Sequence, residues 1–360
     1  MTPARPVRWC LLIALLAVPV RAATLKDAFT GAFRVGAALN AAQFSGEAPE
    51  TALAVQQFNT ISPENALKWG PVHPSPGRFR FDGADRYVAF GEAHGMWIVG
   101  HTLVWHRQTP AWVFESSPGH PADREALLAR LRDHIHTVVG RYRGRIRGWD
   151  VVNEALAEDG SLRQTPWLAI IGEDYISKAF EFAHEADPAA ELYYNDYNLE
   201  YPEKRAGALR LLAHLKAQGV PVRAVGLQGH VRLATPTAAA VGDTIDAFAA
   251  LGLRVNVSEL DVDVLPPAHE GDAARPGLDP YPGGPPPEVQ RALTARYAAL
   301  FATFVAHRAA LDRVTFWGVT DAASWLNGWP VPGRTNHPLL FDRSGRPKPA
   351  FDAVLHTAPR

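Results

Sequence analysis

The sequence predicts an α/β protein that folds as a single (β/α)8 TIM barrel. Eight short apolar runs, rich in β-branched or aromatic residues, recur along the 360-residue chain. Segments with helical spacing of apolar residues lie between several of these runs, and this alternation is typical of an α/β barrel. A doubly wound open sheet is the alternative, but no glycine-rich phosphate turn follows the first run.

Residues 1–22 are predicted to be a secretory signal peptide and not part of the fold. Two arginines precede an apolar run that ends in a small-residue cleavage pattern. We therefore expect cleavage after Ala22, a secreted or periplasmic protein, and a barrel domain in residues 23–360. The only cysteine, Cys10, lies in the leader, so the mature chain has no disulfide and needs a sizeable core.

The eight strands are predicted in chain order at Phe33–Leu39, Phe58–Ser62, Trp97–His101, Ile146–Asn153, Glu191–Asn195, Ala224–Gln228, Arg254–Glu259 and Val314–Trp317. Apolar residues at helical spacing predict helices over 127–138, 206–215 and 289–304. Between the last strands, Pro266–Pro287 has eight Pro and four Gly in 22 residues. We interpret this segment as a long loop inside the domain, because too little chain follows it to form another domain.

The charge of the chain argues against two classes of partner. It has 36 Lys and Arg against 37 Asp and Glu, and this balance gives no basic surface for nucleic acid or an anionic membrane. After the leader, no apolar run approaches the ~20 residues that span a bilayer. We expect no nucleic-acid partner, no membrane partner and a monomer.

Polar residues stand at the ends of five predicted strands. In an α/β barrel the active site lies at the carboxyl ends of the strands, so these residues should converge on one mouth. The pattern therefore predicts a catalytic mouth, formed by His101, Asn153-Glu154, Asn195-Asp196, Gln228 with His230, and Glu259 with Asp261.

Two glutamates in this set, Glu154 and Glu259, emerge from the fourth and seventh predicted strands. Two carboxyls that face one cavity raise one another's pKa, so one can remain protonated while the other is ionised. Glycosidic cleavage needs this pair, whereas aspartyl proteolysis would use two aspartates on a β fold. A metal site of His230, Asp261 and Glu259 is a further alternative, but no HExxH-like spacing supports it, and we expect no metal.

The period of a strand adds a prediction about His230. Residues i and i+2 share a face, so Glu259 and Asp261 should point the same way. His230, at the end of the neighbouring strand, can then bridge both carboxylates, orient Glu259 and keep it ionised.

Other histidines receive no catalytic role from their spacing. His101 and His106 are five apart, which on one strand would send them to opposite faces and argues against a metal pair. His134 and His136 lie within an amphipathic helix and are expected on the solvated surface.

Tryptophans at strand ends favour a sugar ligand, because a flat apolar face with one polar edge suits a pyranose ring. Trp97 and Trp149 lie inside strands and are expected in the core. The expected sugar platforms are Trp69, Trp105, Trp112, Trp317, Trp325 and Trp329.

Five segments occur in the order ENALKW (64–69), GHTLVWH (100–106), WDVVNEA (149–155), GLQGH (226–230) and SELD (258–261). Together they resemble the glycoside hydrolase family 10 endo-β-1,4-xylanases, from about residue 29 to residue 356. The resemblance implies a retaining enzyme that hydrolyses internal β-1,4 bonds of xylan by double displacement through a covalent glycosyl-enzyme. It implies xylan and xylo-oligosaccharides as partners, and no cofactor.

The resemblance also assigns roles to residues. Glu154 is the expected acid/base and Glu259 the expected nucleophile, supported by Asn153, His230 and Asp261. The implied substrate-binding residues are Glu64, Asn65, Lys68, His101, Trp105, Gln108, Tyr197, Asn198, Gln228, Trp317 and Trp325.

Three alternatives to this assignment remain. Glu64 and Lys68, at i and i+4, are also compatible with a simple ion pair on a helix surface. A cellulase or mannanase on a related barrel differs only in the space around C5 of the sugar, where Trp325 should reject a hydroxymethyl group. A non-catalytic carbohydrate-binding barrel should have lost one of the two glutamates.

Overall fold

Eight parallel strands form a closed ring in the computed structural model, which describes residues 24–272 and 276–359. Their hydrogen-bonded order is β8-β1-β2-β3-β4-β5-β6-β7, and β7 also pairs with β8, which closes the barrel. The predicted (β/α)8 TIM barrel is therefore confirmed, while the predicted signal peptide lies outside the described residues. The strands are β1 (Arg34–Leu39), β2 (Thr60–Pro63), β3 (Trp97–Val104), β4 (Gly148–Asn153), β5 (Glu191–Asp196), β6 (Ala224–Leu227), β7 (Arg254–Asp263) and β8 (Leu311–Phe316).

Each predicted strand overlaps an observed one, and the differences lie at the ends. The largest concerns β7, which continues to Asp263 instead of ending at Glu259. The reason is a short strand after β6, His230–Arg232, which pairs in parallel with Asp261–Asp263 and extends the sheet beyond the barrel proper. An antiparallel pair, Glu115–Ser117 with His120–Pro121, lies outside the ring.

Helices follow the strands and pack outside the ring against one another and against the strands. Side-chain caps define several of their first turns: Asp123, Thr165 and Thr237 each accept a hydrogen bond from a backbone N–H three residues on. The helices are α1 (Leu25–Ala28), α2 (Ala41–Phe44), α3 (Thr51–Gln57), α4 (Trp69–Val72), α5 (Asp82–Ala93), α6 (Arg124–Arg141), α7 (Pro166–Ile171), α8 (Tyr175–Ala186), α9 (Pro202–Ala217), α10 (Ala238–Ala250), α11 (Pro287–Ala306) and α12 (Pro349–Leu355).

The apolar face of α6 shows how the helices bury their side chains. Leu127, Leu131, Ile135 and Val138, which set the predicted helical spacing, are all fully buried against the barrel. Within residues 24–272 and 276–359, no helix combines the length and apolarity needed to cross a membrane.

Glycines inside the strands leave room for large neighbours. A Cβ at Gly100 in β3 would lie 2.1 Å from the Trp149 ring of β4, and one at Gly226 in β6 would lie 2.2 Å from Asn195 Oδ1 of β5. Both positions therefore exclude any side chain, and the second lets Asn195 point into the barrel mouth.

The prediction for His134 was wrong. Its ring is fully buried and stacks on Trp69 with 3.6 Å between ring centroids, and His73 lies on the same stack. Helix α4 begins at Trp69 and packs this side chain towards α6, so Trp69 is part of the core and not a sugar platform. Trp112 also packs against the core, half-buried, with the Arg130 guanidinium 5.9 Å from its ring.

Candidate active site

A cavity of about 780 Å³ opens at the carboxyl ends of the barrel strands. The structure brings fifteen of the sixteen predicted site residues to its lining, and Asp261 lies just behind it against His230. The lining also contains Trp329, expected as a sugar platform, and three residues that the sequence analysis did not assign. The full lining is Glu64, Asn65, Lys68, His101, Trp105, His106, Arg107, Gln108, Asn153, Glu154, Arg163, Tyr197, Asn198, Gln228, His230, Glu259, Trp317, Trp325 and Trp329.

Glu259 lies in β7 and each of its carboxylate oxygens has a polar partner. Asn195 Nδ2 donates to Oε1 at 2.7 Å, and His230 Nε2 lies 3.2 Å from Oε2. Burial by itself raises the pKa of Glu259, but these hydrogen bonds and the charge of nearby imidazoles outweigh it and lower the pKa below its ordinary value. The net direction is opposite to the rise expected from two carboxyls in one cavity, and this carboxyl is ionised at neutral pH.

His230 lies between two carboxylates, as the period-two argument predicted. Its Nδ1 is 3.0 Å from Asp261 Oδ1, on the side opposite Glu259. Burial lowers the pKa of an imidazole, but the charges of Asp261 and Glu259 oppose this and raise the pKa of His230 to about 10. The imidazole is therefore a cation fixed behind Glu259.

Glu154 follows β4 and accepts hydrogen bonds from three side chains. Trp105 Nε1 donates to Oε2 at 2.8 Å, and Gln228 Nε2 and Asn153 Nδ2 donate to Oε1 at 3.1 Å and 3.2 Å. Asn153 Oδ1 in turn accepts a 2.8 Å hydrogen bond from Asn195. Side chains of β4 and β5 thus connect Glu154 to Glu259 through two asparagines.

Backbone strain is concentrated in this cavity. Among the described non-glycine residues, positive φ values occur at Gln108 (51°), Glu154 (58°) and Asn198 (57°), and all three line it. The left-handed region costs an L-residue roughly 1–2 kcal/mol, so such conformations persist only where the surrounding structure fixes them. Because all three residues line the cavity, this strain indicates that their side chains are fixed in position for the function of the site.

One side of the cavity, next to Glu259, is formed by the loops after β2 and β3. Lys68 Nζ donates to Asn65 Oδ1 at 3.0 Å, and Gln108 Nε2 lies 3.4 Å from the same oxygen. Burial lowers the pKa of Lys68, whereas the charges of Glu259, Glu64 and Glu154 support its ionised form. Glu64 and Lys68 precede α4 and share no helix, so the alternative of a helix-surface ion pair is wrong.

On the side next to Glu259, the position of His101 is fixed by a residue of the barrel interior. His101 Nδ1 lies 2.9 Å from Asp150 Oδ2 of β4, and both groups are buried. This contact fixes the His101 ring, which meets Trp317 edge-on at 5.2 Å between centroids.

The other side of the cavity, next to Glu154, is formed by the loops after β4 and β5. Arg163 donates to the carbonyl of Glu154 at 3.0 Å and to the hydroxyl of Tyr197 at 2.8 Å. The buried Lys204 ammonium lies 3.5 Å from the centroid of the Tyr197 ring. Asn198 is tied through a 3.0 Å hydrogen bond to Glu158.

His101 and His106 both line the cavity, so the prediction of opposite faces was wrong. β3 ends at Val104, and His106 belongs to the following loop, where strand alternation no longer applies. Burial lowers the pKa of His106 to about 4, which keeps this imidazole neutral. Over residues 24–272 and 276–359, no group of three or more His, Cys, Asp or Glu side chains is arranged to hold a metal ion.

The sequence predicts Asn195 at the mouth of the barrel but not its contact with Glu259, and it assigns no role to Asp150 or Arg163. The position of Asn195 at a predicted strand end indicates that it faces the mouth, but nothing in the sequence indicates that its partner is Glu259. Asp150 lies three residues before the predicted strand end, where an inward carboxylate is recognisable only once its partner His101 is known. Arg163 is in a loop, and no spacing rule indicates its three oxygen acceptors.

Comparison with known proteins agrees with this geometry. The model of glycosyl hydrolase family 10 matches residues 24–357. Endo-1,4-beta-xylanase A of Xylanibacter ruminicola is 42% identical over 354 residues, 96% of either chain. Endo-1,4-beta-xylanase of Geobacillus stearothermophilus is 41% identical over 336 residues, 92% of this chain and 98% of the relative.

A solved GH10 endoxylanase retrieved from a sugarcane soil metagenome has a TM-score of 0.90 and 45% identity, covering 93% of this chain and 99% of that one. The family match spans the barrel and every residue of the cavity. This chain belongs to glycosyl hydrolase family 10, and the resemblance drawn from its motifs is confirmed.

Proposed function

We propose that the protein is a retaining endo-β-1,4-xylanase that cleaves internal bonds of xylan by double displacement. The observation that carries the proposal is the unequal environment of the two glutamates. Glu259 contacts the His230 cation and Asn195, whereas Glu154, just after β4 in the same cavity, is hydrogen-bonded by the neutral side chains of Trp105, Gln228 and Asn153. One carboxylate ready to attack and a second carboxyl able to donate a proton are what a retaining glycosidase requires.

In the first step, Glu259 attacks the anomeric carbon while Glu154 gives its proton to the departing glycosidic oxygen. The C1–O bond breaks as the C1–carboxylate bond forms, and the leaving chain departs as an alcohol. Cationic His230 keeps Glu259 ionised before attack, and Asn195 fixes the direction of its oxygen.

Glu154 is a carboxylate after it has given up its proton, and in the second step it acts as the general base. It removes a proton from water, which attacks C1 and displaces Glu259, so the sugar leaves with its original β configuration. The two displacements use only groups of this chain and one water molecule, and no cofactor is invoked.

Specificity for xylose follows from the tryptophans next to Glu259. Trp325 Nε1 donates to Asp261 Oδ2 at 2.7 Å, and its ring lies 4.8 Å from the His230 ring, which fixes the indole in the cavity wall. A fixed indole at this place leaves little room for the hydroxymethyl group of a hexose. The two named relatives are both endo-1,4-beta-xylanases, which supports the same substrate.

The test is a comparison of initial rates on xylan, carboxymethylcellulose and mannan, with Glu259→Ala as the control for contaminating activity. We expect reducing ends to appear on xylan at a rate far above the other two polymers. Equal or greater rates on carboxymethylcellulose or mannan would contradict the assigned substrate, and no activity on any polymer would favour a non-catalytic carbohydrate-binding barrel.

The proposal also includes the signal peptide and the place where the protein acts. Residues 1–22 are removed after Ala22, and the protein acts as a monomer outside the cytoplasm, where polymeric xylan is accessible. Mass spectrometry of the exported protein should give an N-terminus near Ala23, whereas an intact Met1 would contradict the leader.

A further inference from the structure

Arg107 is a cation in the cavity wall that the proposed reaction does not use. It follows β3, between His106 and Gln108, and its guanidinium lies 4.9 Å from the centroid of the Trp329 ring. Its NH2 nitrogen lies 3.1 Å from Oε2 of Glu270. Three loops therefore meet at this side chain, those after β3, β7 and β8.

The contact crosses the mouth of the barrel. In the ring order, β3 and β7 are four strands apart in either direction, so their loops start from opposite sides. Arg107, which lines the same cavity as Glu259, reaches Glu270 across this gap. Because its side chain is about half exposed, this guanidinium is accessible to a substituent on a bound xylan chain.

The other cations of the cavity are already engaged. Lys68 is buried and bound to Asn65, Arg163 is held by backbone carbonyls and Tyr197, and His230 lies between two carboxylates. The described residues give Arg107 one polar partner, Glu270, and both side chains are open to solvent, 47% and 64% exposed. An ion pair this exposed is weak, so another carboxylate can replace Glu270 at small cost.

The Trp329 ring lies on one side of the guanidinium, within the range of a cation–π contact. An arginine beside an indole keeps an N–H edge for other partners, and that edge matches the two oxygens of a carboxylate. Xylan carries neutral substituents, such as arabinosyl groups, and acidic ones, such as glucuronosyl groups. Only the acidic ones have the group that this edge binds.

We propose that Arg107, beside the Trp329 ring, binds the carboxylate of a uronic acid substituent on the xylan chain in place of Glu270. This inference rests on the proposed xylanase function and adds a substrate class to it. Glu270 remains paired with the Arg107 guanidinium when an undecorated chain is bound. An acidic substituent displaces Glu270 from this ion pair.

The test uses the full chain and three sets of xylohexaose: unsubstituted, carrying one glucuronosyl group at each position in turn, or carrying one arabinosyl group likewise. Values of kcat/KM are measured for wild type, Arg107→Gln, Arg107→Lys and Glu270→Gln. At one glucuronosyl position, Arg107→Gln should lower kcat/KM about fivefold more than on unsubstituted xylohexaose, a size typical of a partly exposed bidentate pair. Arg107→Lys should recover part of the loss, because it restores the charge without the fork.

Glu270→Gln is the matched variant with the opposite sign. It removes the competitor, so kcat/KM on that glucuronosyl substrate should rise while turnover of unsubstituted xylohexaose stays unchanged. Both effects should shrink in high salt, which screens exposed charges. Equal losses for Arg107→Gln on glucuronosyl and unsubstituted substrates, or on glucuronosyl and arabinosyl ones, would overturn the proposal. Failure of wild type to cleave unsubstituted xylohexaose would instead refute the proposed function.

Discussion

Asn195 Nδ2 donates a 2.7 Å hydrogen bond to Oε1 of Glu259, and the orientation of this amide is fixed from the other side. Ser258 Oγ donates to Asn195 Oδ1 at 2.6 Å, and the missing Cβ of Gly226 leaves the space that the amide oxygen occupies. Oδ1 therefore accepts and Nδ2 donates, which is the orientation that stabilises an ionised carboxylate.

Asn195→Ala should weaken the nucleophile and shift its titration. Losing a hydrogen bond to a buried carboxylate costs about 1.5–3 kcal/mol, so kcat/KM should fall by about tenfold or more. Because that bond lowers the pKa of Glu259, its loss raises this pKa, and the acidic limb of the kcat/KM profile should move to higher pH. Ser258→Ala, which only frees the amide to rotate, should give a smaller shift of the same sign. A variant whose acidic limb coincides with that of wild type would show that Asn195 does not tune Glu259.

His230→Ala should lower kcat more than it raises KM. With a pKa of about 10, the imidazole is a cation throughout the neutral range and acts on Glu259 as the new bond forms. Steady-state kinetics on xylo-oligosaccharides measures this split. An unchanged kcat with a raised KM would place His230 in ground-state binding only.

Gly100→Ala should destabilise the barrel by about 1–3 kcal/mol, because its Cβ would overlap the Trp149 ring in a packed interior. Gly140→Ala is the matched control in helix α6. Its Cβ meets no atom within 4 Å, and replacing a helical glycine should stabilise the fold by roughly 0.5–1 kcal/mol. Urea unfolding of both variants gives the two free energies of unfolding. Equal changes would show that the close approach at Gly100 is not fixed by packing.

The fold and much of the site were readable from the sequence, because both depend on repeating patterns. The apolar runs placed Glu154 and Glu259 towards the carboxyl ends of β4 and β7, and the i, i+2 rule placed His230 between Glu259 and Asp261. Loop residues such as Arg163 carry no period, and their partners come from a different strand or loop.

The wrong prediction for His134 came from judging the residue by its polarity and not by its place in the helical spacing. His134 is three residues after Leu131 and four before Val138, so it lies on the apolar face of α6 by the same spacing that predicted the helix. Its polarity had suggested solvent, but stacking between aromatic rings keeps the imidazole in the core. The contact of Asn195 with Glu259 joins β5 to β7, which are separated in the sheet by β6, so the order of the strands is needed to predict it.

The central claim is that Glu259 is the nucleophile and Glu154 the acid/base, and azide separates these roles. Glu259→Ala should lose turnover of every substrate, since no covalent intermediate can form. Glu154→Ala should lose xylan hydrolysis, because a general acid contributes ~10²–10⁴-fold when the leaving group needs a proton. The Glu154 variant should still be xylosylated by an aryl xylobioside with an acidic phenol, and it should show a burst as the intermediate accumulates.

Azide needs no general base, so it should restore turnover of the aryl xylobioside in both variants, and proton NMR of the two products is the most direct measurement. We expect the β-glycosyl azide from Glu154→Ala, through two displacements, and the α-glycosyl azide from Glu259→Ala, through one. The reverse pattern, α from Glu154→Ala and β from Glu259→Ala, would mean that the two roles are exchanged.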